Sequence, residues 1–202
     1  QMLAPERDQT NTREAVKELQ VFLDRYPNSA LMPEARALYR KAKDRLSEAS
    51  YRVGLYYYRA RWYTGAVDRF KEVLRNDPEY TARDAVYFYL AESLLKLDTE
   101  ASRAEALPYF REAVVKRPED AALLDEYCEL LLAVEADEEE TLTALYALVR
   151  LRMAREEHAL AAIALTRLLA IDPRCPGARP ILQQAARQLS RLAEESEEFT
   201  RS

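Results

Sequence analysis

The sequence predicts an all-α protein in which antiparallel helix hairpins stack one after another as an α-solenoid. Three observations predict this fold class. The 202 residues include only three glycines and are rich in Ala, Leu, Glu and Arg, which favour helix over sheet. Apolar residues recur at helical spacing through nearly the whole chain. Short segments, several of them containing proline, interrupt that pattern and predict the turns.

The first predicted helix follows Asn11, which has the spacing of a capping box with Glu14, and it ends before Pro27. The second is unusually long, because Pro33 suits a first helical turn and no further proline occurs before residue 61. A helix over 33–61 is more than twice the average length of about 12 residues. The later predicted helices, which bring the total to about nine, cover 64–76, 81–97, 102–116, 120–135, 138–154, 157–171 and 177–197, and an acidic tail that frays is expected after them. Two of these helices have predicted capping pairs, Thr81 with Asp84 and Ser102 with Glu105.

Two segments repeat one pattern, that of the tetratricopeptide repeat (TPR), a helix hairpin with small residues where the helices cross. In residues 51–80, Gly54 takes the small position of the first helix, and Ala66, Phe70 and Val73 form the inner stripe of the second. Residues 85–120 repeat the pattern through Tyr87, Leu90, Ala91, Leu94, Ala106, Phe110 and Ala113. Residues 14–27 match a second helix alone, through Ala15, Leu19 and Phe22, so the chain is expected to begin in mid-repeat.

The period of the repeat is irregular. The prolines that close repeats, at 27, 78, 118 and 173, are spaced by 51, 40 and 55 residues, against about 34 in a regular TPR array. The long helix accounts for the first interval and an extra helix for the last. Two registers remain open after Pro118: helices 138–154 and 157–171 form one repeat through Leu145, Leu148, Ala161, Leu165 and Leu168, or 120–154 and 157–197 form successive hairpins. The predicted domains are residues 1–118 and a further helical region, 119–202.

Composition narrows the function class. The net charge of −5 divides into 15 basic and 10 acidic residues in 1–76, and 15 basic and 25 acidic residues in the remainder. A protein that binds duplex nucleic acid concentrates basic charge more strongly, so nucleic acid is not an expected partner. No apolar stretch approaches the roughly 20 residues of a membrane span, so no transmembrane helix is predicted.

The residues that catalysis or metal binding needs are scarce. Cys128 and Cys175 have neither CxxC spacing nor a nearby histidine, so no metal site is predicted; Cys128 is expected to be buried and Cys175 exposed. His158, the single histidine, is expected to be exposed at a helix start, and the acidic run 137–140 to form a solvated helix cap. With no GxSxG motif and no glycine-rich phosphate loop, the sequence favours a protein without catalytic activity or cofactor.

Five aromatic residues occupy the eight positions 56–63. Tyr57 and Tyr63 are predicted to lie in the core and the interhelical turn. Other side chains of the first helices are predicted to face the concave side of the solenoid: Tyr51, Leu55, Tyr58, Arg59, Phe88, Glu92 and Lys96, joined by Tyr146 and Arg150 if the first of the two later registers holds. Such a surface suits an extended peptide or a partner helix. The other interpretation is that these side chains stack one repeat on the next.

Several stretches match one family in order: "RDQT" at 7–10, "RYPNS" at 25–29, "DRL" at 44–46, "VGLYYYRARWYTGAVDRF" at 53–70 and "TARDAVYFYLAESL" at 81–94. Over residues 6–97 the chain resembles the BamD family, lipoproteins of the machine that assembles outer-membrane β-barrels. The resemblance also accounts for the long helix. It does not extend past about residue 118, where the chain has more helix than the family pattern leads us to expect.

The resemblance implies a protein on the periplasmic face of the bacterial outer membrane, held there by an acylated N-terminal cysteine. It implies binding to the BamA-like barrel subunit, to other subunits of the machine and to unfolded outer-membrane proteins. Neither "LDEYC" nor "DPRC" resembles a lipoprotein signal, so the anchor is expected to precede residue 1. Two other functions stay open: a TPR adaptor for other cell-envelope or pilus assembly, and a TPR domain of a larger enzyme or regulator.

Overall fold

The computed structural model describes residues 9–175 and 178–201, and all of their side chains except those of 188, 189 and 192–201. Within these residues the chain forms nine α-helices and no strand, which confirms the predicted fold class. The helices are α1 Thr10–Arg25, α2 Met32–Arg59, α3 Tyr63–Asn76, α4 Arg83–Leu95, α5 Glu100–Lys116, α6 Ala121–Ala133, α7 Glu138–Ala154, α8 His158–Ile171 and α9 Ala178–Arg201. Their ends lie within two residues of the predicted ones, except that α9 continues to Arg201 instead of ending near 197. The side chains of the acidic tail lie outside the described residues.

Two kinds of turn connect the helices. The turns after α1, α3, α5 and α8 contain the closing prolines. The turns after α2, α4, α6 and α7 contain a non-glycine residue with positive φ, namely Arg61, Asp98, Glu135 and Glu156, at 60°, 54°, 49° and 61°. Because α6 and α7 both end in the second kind, three helices lie between Pro118 and Pro173, where each earlier interval holds two. This confirms the extra helix that the proline spacing predicted.

The chain divides into two compact units, Gln1–Tyr109 and Phe110–Ser202. The predicted domain boundary at 118 was based on the repeat pattern, whereas the two units are defined by contacts within the fold. The predicted boundary therefore stays a prediction. None of the helices in the described part of the chain is both long enough and apolar enough to cross a lipid bilayer.

The first unit is organised around the long helix α2, which contacts α1, α3 and α4. The crossing with α3 forms at Gly54, because a Cβ built there would come within 2.6 Å of Cε1 of Phe70. Ala66, Phe70 and Val73 are buried as the repeat pattern predicted, and so are Leu90, Ala91 and Leu94 on α4. Tyr57 and Tyr87 were placed in the core by that pattern, but both are half-buried. Their rings instead pack on Trp62 and on Tyr109, respectively.

The middle of α2 holds the turn between α3 and α4. Arg40 and Ser47 both donate hydrogen bonds to the carboxylate of Asp77, which is 3% exposed. Lys43 donates to the carbonyl oxygen of Asn76 at 2.9 Å. Burial alone would raise the pKa of Asp77, but the bonds from Arg40 and Ser47 lower it below its ordinary value. The extra length of α2 therefore has a structural use, which is to fix the turn that leads into the next repeat.

Two of the predicted helix caps do not form, and their residues make other hydrogen bonds. Helix α4 begins at Arg83 without a side-chain cap, and Thr81 donates from its backbone N–H and its hydroxyl to Asp44 of α2 instead. Ser102 lies inside α5, where it exchanges hydrogen bonds with Thr99 just before the helix. The predicted cap at Asn11 is also wrong, because α1 begins at Thr10 and no side chain caps it.

In the second unit, α7 contacts both α6 and α8, and α8 contacts α9. The side chains of Leu145, Leu148, Ala161, Leu165 and Leu168 are all buried. The last three repeat the spacing of the stripe on α3, and the pair α7–α8 ends in the same two kinds of turn as α2–α3. These features favour the first of the two predicted registers.

A network of ion pairs, which spacing did not predict, joins three helices of this unit. Asp125 on α6 accepts from Arg152 on α7 at 3.0 Å and from Arg167 on α8 at 2.9 Å. Arg152 also donates to Glu157, and Arg167 donates to Glu129. Arg152 is buried among these carboxylates, so its charge is compensated on two sides.

Candidate protein-binding face

The predicted binding residues of the first unit lie on α2 and α4, two helices that contact each other. We call this surface the α2–α4 face: Tyr51, Leu55, Tyr58, Arg59, Phe88, Glu92 and Lys96. Its centre is Tyr89 of α4, whose ring packs edge-on against Tyr58 at 5.2 Å and against Phe88 at 5.1 Å. Sequence periodicity placed the seven residues together but did not assign a role to Tyr89.

A hydrogen bond fixes α2 to α4 within this face. The hydroxyl of Tyr58 donates to Oε2 of Glu92 at 2.9 Å, and Glu92 is only 8% exposed. Burial and the bond to Glu92 raise the pKa of Tyr58. The phenol therefore stays protonated and remains a donor at physiological pH. The bond sets the register of the two helices at this level.

Tyr51 lies deeper than a contact residue of an open groove would. Its half-buried ring packs at tilted angles against Phe70 at 5.9 Å, Tyr80 at 6.4 Å and Tyr89 at 6.3 Å. For Tyr51 and Tyr58 these contacts favour the interpretation that they stack one repeat on the next. Partner binding by the whole set stays a prediction.

The other members of the face are more accessible. Arg59 and Lys96 are exposed at the C-terminal ends of α2 and α4, and Leu55 and Phe88 are half-buried on the same two helices. Such a surface offers cationic side chains at its end and apolar edges along its length. It is suited to a partner segment that has both apolar and acidic side chains.

Tyr146 and Arg150 belong to the second unit. The hydroxyl of Tyr146 donates to Sγ of Cys175 at 3.1 Å, and this bond raises the pKa of Tyr146 to about 12. Arg150 is exposed on the same helix. Cys175 is buried, contrary to the prediction that its proline-rich turn would expose it, because it lies under this tyrosine. The next two residues of that turn, 176 and 177, lie outside the described residues.

A second surface that the sequence did not reveal is a groove of about 490 Å³ in the second unit. Val114, Val115, Leu124 and Ala147 are among its apolar lining residues. At its edge, Arg111 makes two 2.8 Å hydrogen bonds to Glu140, which also accepts from the hydroxyl of Tyr127.

Glu140 was predicted to belong to a solvated helix cap, but it also joins α5 and α6 to α7 through its bonds with Arg111 and Tyr127. Asp137 does cap α7, since it accepts from the N–H of Glu140 at 3.1 Å. The carboxylate of Glu140 is held by Arg111, which lowers its pKa. Nothing in the spacing of these residues signalled the pair, because Arg111 and Glu140 lie on different helices 29 positions apart.

The nucleophilic and metal-binding candidates are placed as follows. Cys128 is buried as predicted, and burial raises its pKa to about 12, which keeps the thiol protonated. His158 was predicted to be exposed, but it is buried, with 8% of its surface exposed. Its Nδ1 has no hydrogen-bond partner in the described part of the chain. In the described part of the chain, no group of three or more His, Cys, Asp or Glu side chains is arranged to hold a metal ion.

Comparison with known proteins places the chain in a family. The family described as outer membrane lipoprotein, YfiO, matches residues 1–107, which is more than half of the chain. The chain belongs to this family. The match covers nearly the whole first unit, including the α2–α4 face, and it ends within α5.

A solved structure shows the fold of most of the chain. The crystal structure of YrrB, a TPR protein with an unusual peptide-binding site, is similar with a TM-score of 0.53 and 23% sequence identity. The similarity covers 88% of this chain and 92% of YrrB, so the TPR fold extends beyond the part that the family matches. No curated protein matches the chain.

Proposed function

We propose that this member of the outer membrane lipoprotein family is a non-catalytic adaptor of outer-membrane β-barrel assembly, which binds a BamA-like barrel subunit. The family match over residues 1–107 carries the proposal. The stretches that resemble BamD, at 53–70 and 81–94, contain five of the seven residues of the α2–α4 face, namely Leu55, Tyr58, Arg59, Phe88 and Glu92. The family and the face thus point to the same part of the molecule.

The α2–α4 face supports binding because it is rigid before a partner arrives. The bond from Tyr58 to Glu92 and the rings around Tyr89 fix the two helices, so little conformational entropy remains to be lost on association. Arg59 and Lys96 are left exposed to pair with partner carboxylates.

The proposal includes a location and further partners. As in the rest of the family, the protein is held at the outer membrane by a lipid anchor, here on its periplasmic face. Unfolded barrel precursors and other subunits of the machine are its further partners. The apolar groove beside Val114 and Val115 provides a second docking surface for one of them.

The test is a binding measurement with the periplasmic part of the BamA-like subunit from the same organism. The double variant Phe88→Ala and Lys96→Ala removes a half-buried ring and an exposed charge of the face without touching Tyr58 or Glu92. We expect it to weaken binding by about tenfold or more. The matched control is Val21→Ala with Lys41→Ala, which removes an exposed apolar side chain and an exposed charge elsewhere in the same unit. Equal binding by both double variants would remove the face from the proposal.

Fractionation of cells tests the location separately. The full-length protein is expected in the outer-membrane fraction, acylated at its N-terminal cysteine. Recovery from the cytosol without acylation would contradict the assembly function and would favour a TPR adaptor of another kind.

A further inference from the structure

The end of the α2–α3 hairpin exposes aromatic rings that the repeat packing does not use. Tyr56 is 68% exposed and Trp62 is 56% exposed, and Val53 one turn earlier is also exposed. The ring of Tyr57 lies between the first two, 5.8 Å from Tyr56 and 4.6 Å from Trp62. The three rings therefore form one continuous cluster at the surface.

The backbone holds Trp62 in this exposed position. The chain leaves α2 through Arg61, whose φ is 60°, and the N–H of Trp62 donates to the carbonyl of Tyr57 at 2.9 Å. The indole lies over Gly65, where a Cβ would come within 2.9 Å of Cδ2 of Trp62. The indole of Trp62 thus packs against Gly65 and against the ring of Tyr57, and the rest of its surface is exposed to solvent.

Two arginines lie close to the aromatic residues of the cluster in the sequence. Arg59 and Arg61 are exposed, and neither has an ion-pair partner among the described residues. No acidic residue occurs between Glu48 and Asp68. On a helix, positions 56 and 59 lie about 60° apart, so Tyr56 and Arg59 share one side of α2. We call the set Val53, Tyr56, Tyr57, Arg59, Arg61 and Trp62 the tip patch.

We propose that the tip patch docks on the surface of an anionic phospholipid bilayer. Tryptophan and tyrosine are the side chains enriched at membrane interfaces, where one part of the ring is in contact with apolar chains and its polar atom with water. Arginine beside them pairs with anionic headgroups. The charge of the patch is complementary to such a surface, and the chain belongs to a family of outer membrane lipoproteins, which works next to a bilayer.

Two free arginines and three rings make a weak, reversible contact, because a single signal of this size does not anchor a protein stably. Its effect is orientation: with the chain tethered near the membrane, the contact would turn the end of the α2–α3 hairpin toward the bilayer. This role differs from partner binding by the α2–α4 face, although the two surfaces share Arg59. Tyr56 and Tyr58 are about 160° apart around α2, so the exposed rings of the tip patch lie on a different side of the helix from Tyr58.

The fluorescence of Trp62 reports on the tip patch directly, because Trp62 is the single tryptophan of the 202-residue chain. Vesicles of phosphatidylethanolamine and phosphatidylglycerol should shift its fluorescence emission to shorter wavelength, and brominated lipid in those vesicles should quench it. Vesicles of neutral phosphatidylcholine should give a much smaller shift. Raising the salt concentration to about 1 M should reverse the shift, since the Debye length falls to about 3 Å.

The decisive variant is Arg59→Gln with Arg61→Gln, which should weaken binding to the anionic vesicles about tenfold or more. The matched control is Arg36→Gln with Lys41→Gln, two exposed cations nearer the start of α2, which should change binding less than about twofold. No emission shift with anionic vesicles overturns the proposal, and so does an equal shift with neutral vesicles or an equal loss in both variants. A shift produced by the BamA-like subunit but by neither kind of vesicle also overturns it and assigns the tip patch to a protein partner. The partner-binding test uses Phe88 and Lys96, so each proposal can fail alone.

Discussion

The ring of Phe70 packs directly on the backbone of Gly54, at the point where α2 and α3 cross. A Cβ at position 54 would lie 2.6 Å from Cε1 and 2.8 Å from Cδ1 of that ring, and Phe70 is fully buried. The ring cannot retreat without displacing its neighbours, among them Tyr51 and Tyr89. The close approach of the two helices therefore depends on this glycine.

Gly54→Ala should lower the free energy of unfolding by about 1–3 kcal/mol, because overpacking exceeds the gain of up to about 1 kcal/mol in helix propensity. Gly54→Leu should lower the free energy of unfolding further, because its side chain is larger. Urea unfolding followed by circular dichroism measures the change. Combining Gly54→Ala with Phe70→Leu should recover part of the loss, since a smaller side chain then faces the new methyl group.

Gly65→Ala is the matched control for that prediction. Its Cβ would also be crowded, 2.9 Å from Cδ2 of Trp62, but that indole is more than half exposed and can move. The substitution should be neutral or stabilising by up to about 1 kcal/mol. Equal losses at positions 54 and 65 would contradict the crossing described above.

Asp77→Asn should destabilise the first unit by about 2 kcal/mol near pH 7, because it removes the charge that Arg40 and Ser47 stabilise. The folded-state pKa of Asp77 is lowered from 3.8, so its contribution is present above that value and is lost as the pH falls below it. The difference between wild type and variant, measured by urea unfolding, should therefore narrow below about pH 4. Asp68→Asn, at an exposed position on α3, should change stability by less than about 0.5 kcal/mol. A difference that does not change between pH 7 and pH 3 would argue against a charged Asp77 in the folded state.

Much of this fold follows from the sequence, because helices and their buried stripes have a period that apolar residues reveal. Ala66, Phe70 and Val73 were assigned from spacing alone and are buried. The positive-φ turns could not be assigned in the same way. The residues that adopt them include Arg61 and Glu156 rather than glycine, so the usual signal was missing.

Contacts between polar residues of different helices were also not predicted from the sequence. Periodicity indicates which side of a helix faces a neighbour, but it does not indicate which polar group the neighbour covers. His158 was expected at the surface and is buried, and Thr81 was expected to cap α4 and instead bonds to Asp44. In the candidate site, spacing put Tyr58 and Glu92 on one face but could not show that they bond to each other.

Glu140→Gln should destabilise the second unit by about 1 kcal/mol, because it weakens the paired bonds from Arg111 and the bond from the buried hydroxyl of Tyr127. Thermal or urea unfolding of the variant measures this. Glu139→Gln, at the exposed neighbouring position, should have an effect below about 0.5 kcal/mol.

A double-mutant cycle with Tyr127→Phe separates this interaction from unrelated effects of the substitution. The combined loss should be smaller than the sum of the single losses by at least about 0.5 kcal/mol, since both changes break the same bond. Additive losses would mean that Glu140 and Tyr127 are not coupled.

The thiol of Cys128 should be unreactive in the folded protein. The chain has two cysteines, so Cys175→Ala leaves Cys128 as the single thiol. Burial raises the pKa of Cys128 to about 12, which leaves about one thiol in ten thousand ionised at pH 8. Ellman's reagent should therefore detect no thiol at pH 8 in the native variant and one thiol per chain in urea. Cys128→Ala, which leaves Cys175 as the single thiol, should react measurably faster in the native state, because Cys175 is 9% exposed and Cys128 is fully buried. If Cys128 reacts as fast as Cys175 before denaturant is added, α6 is not packed as described.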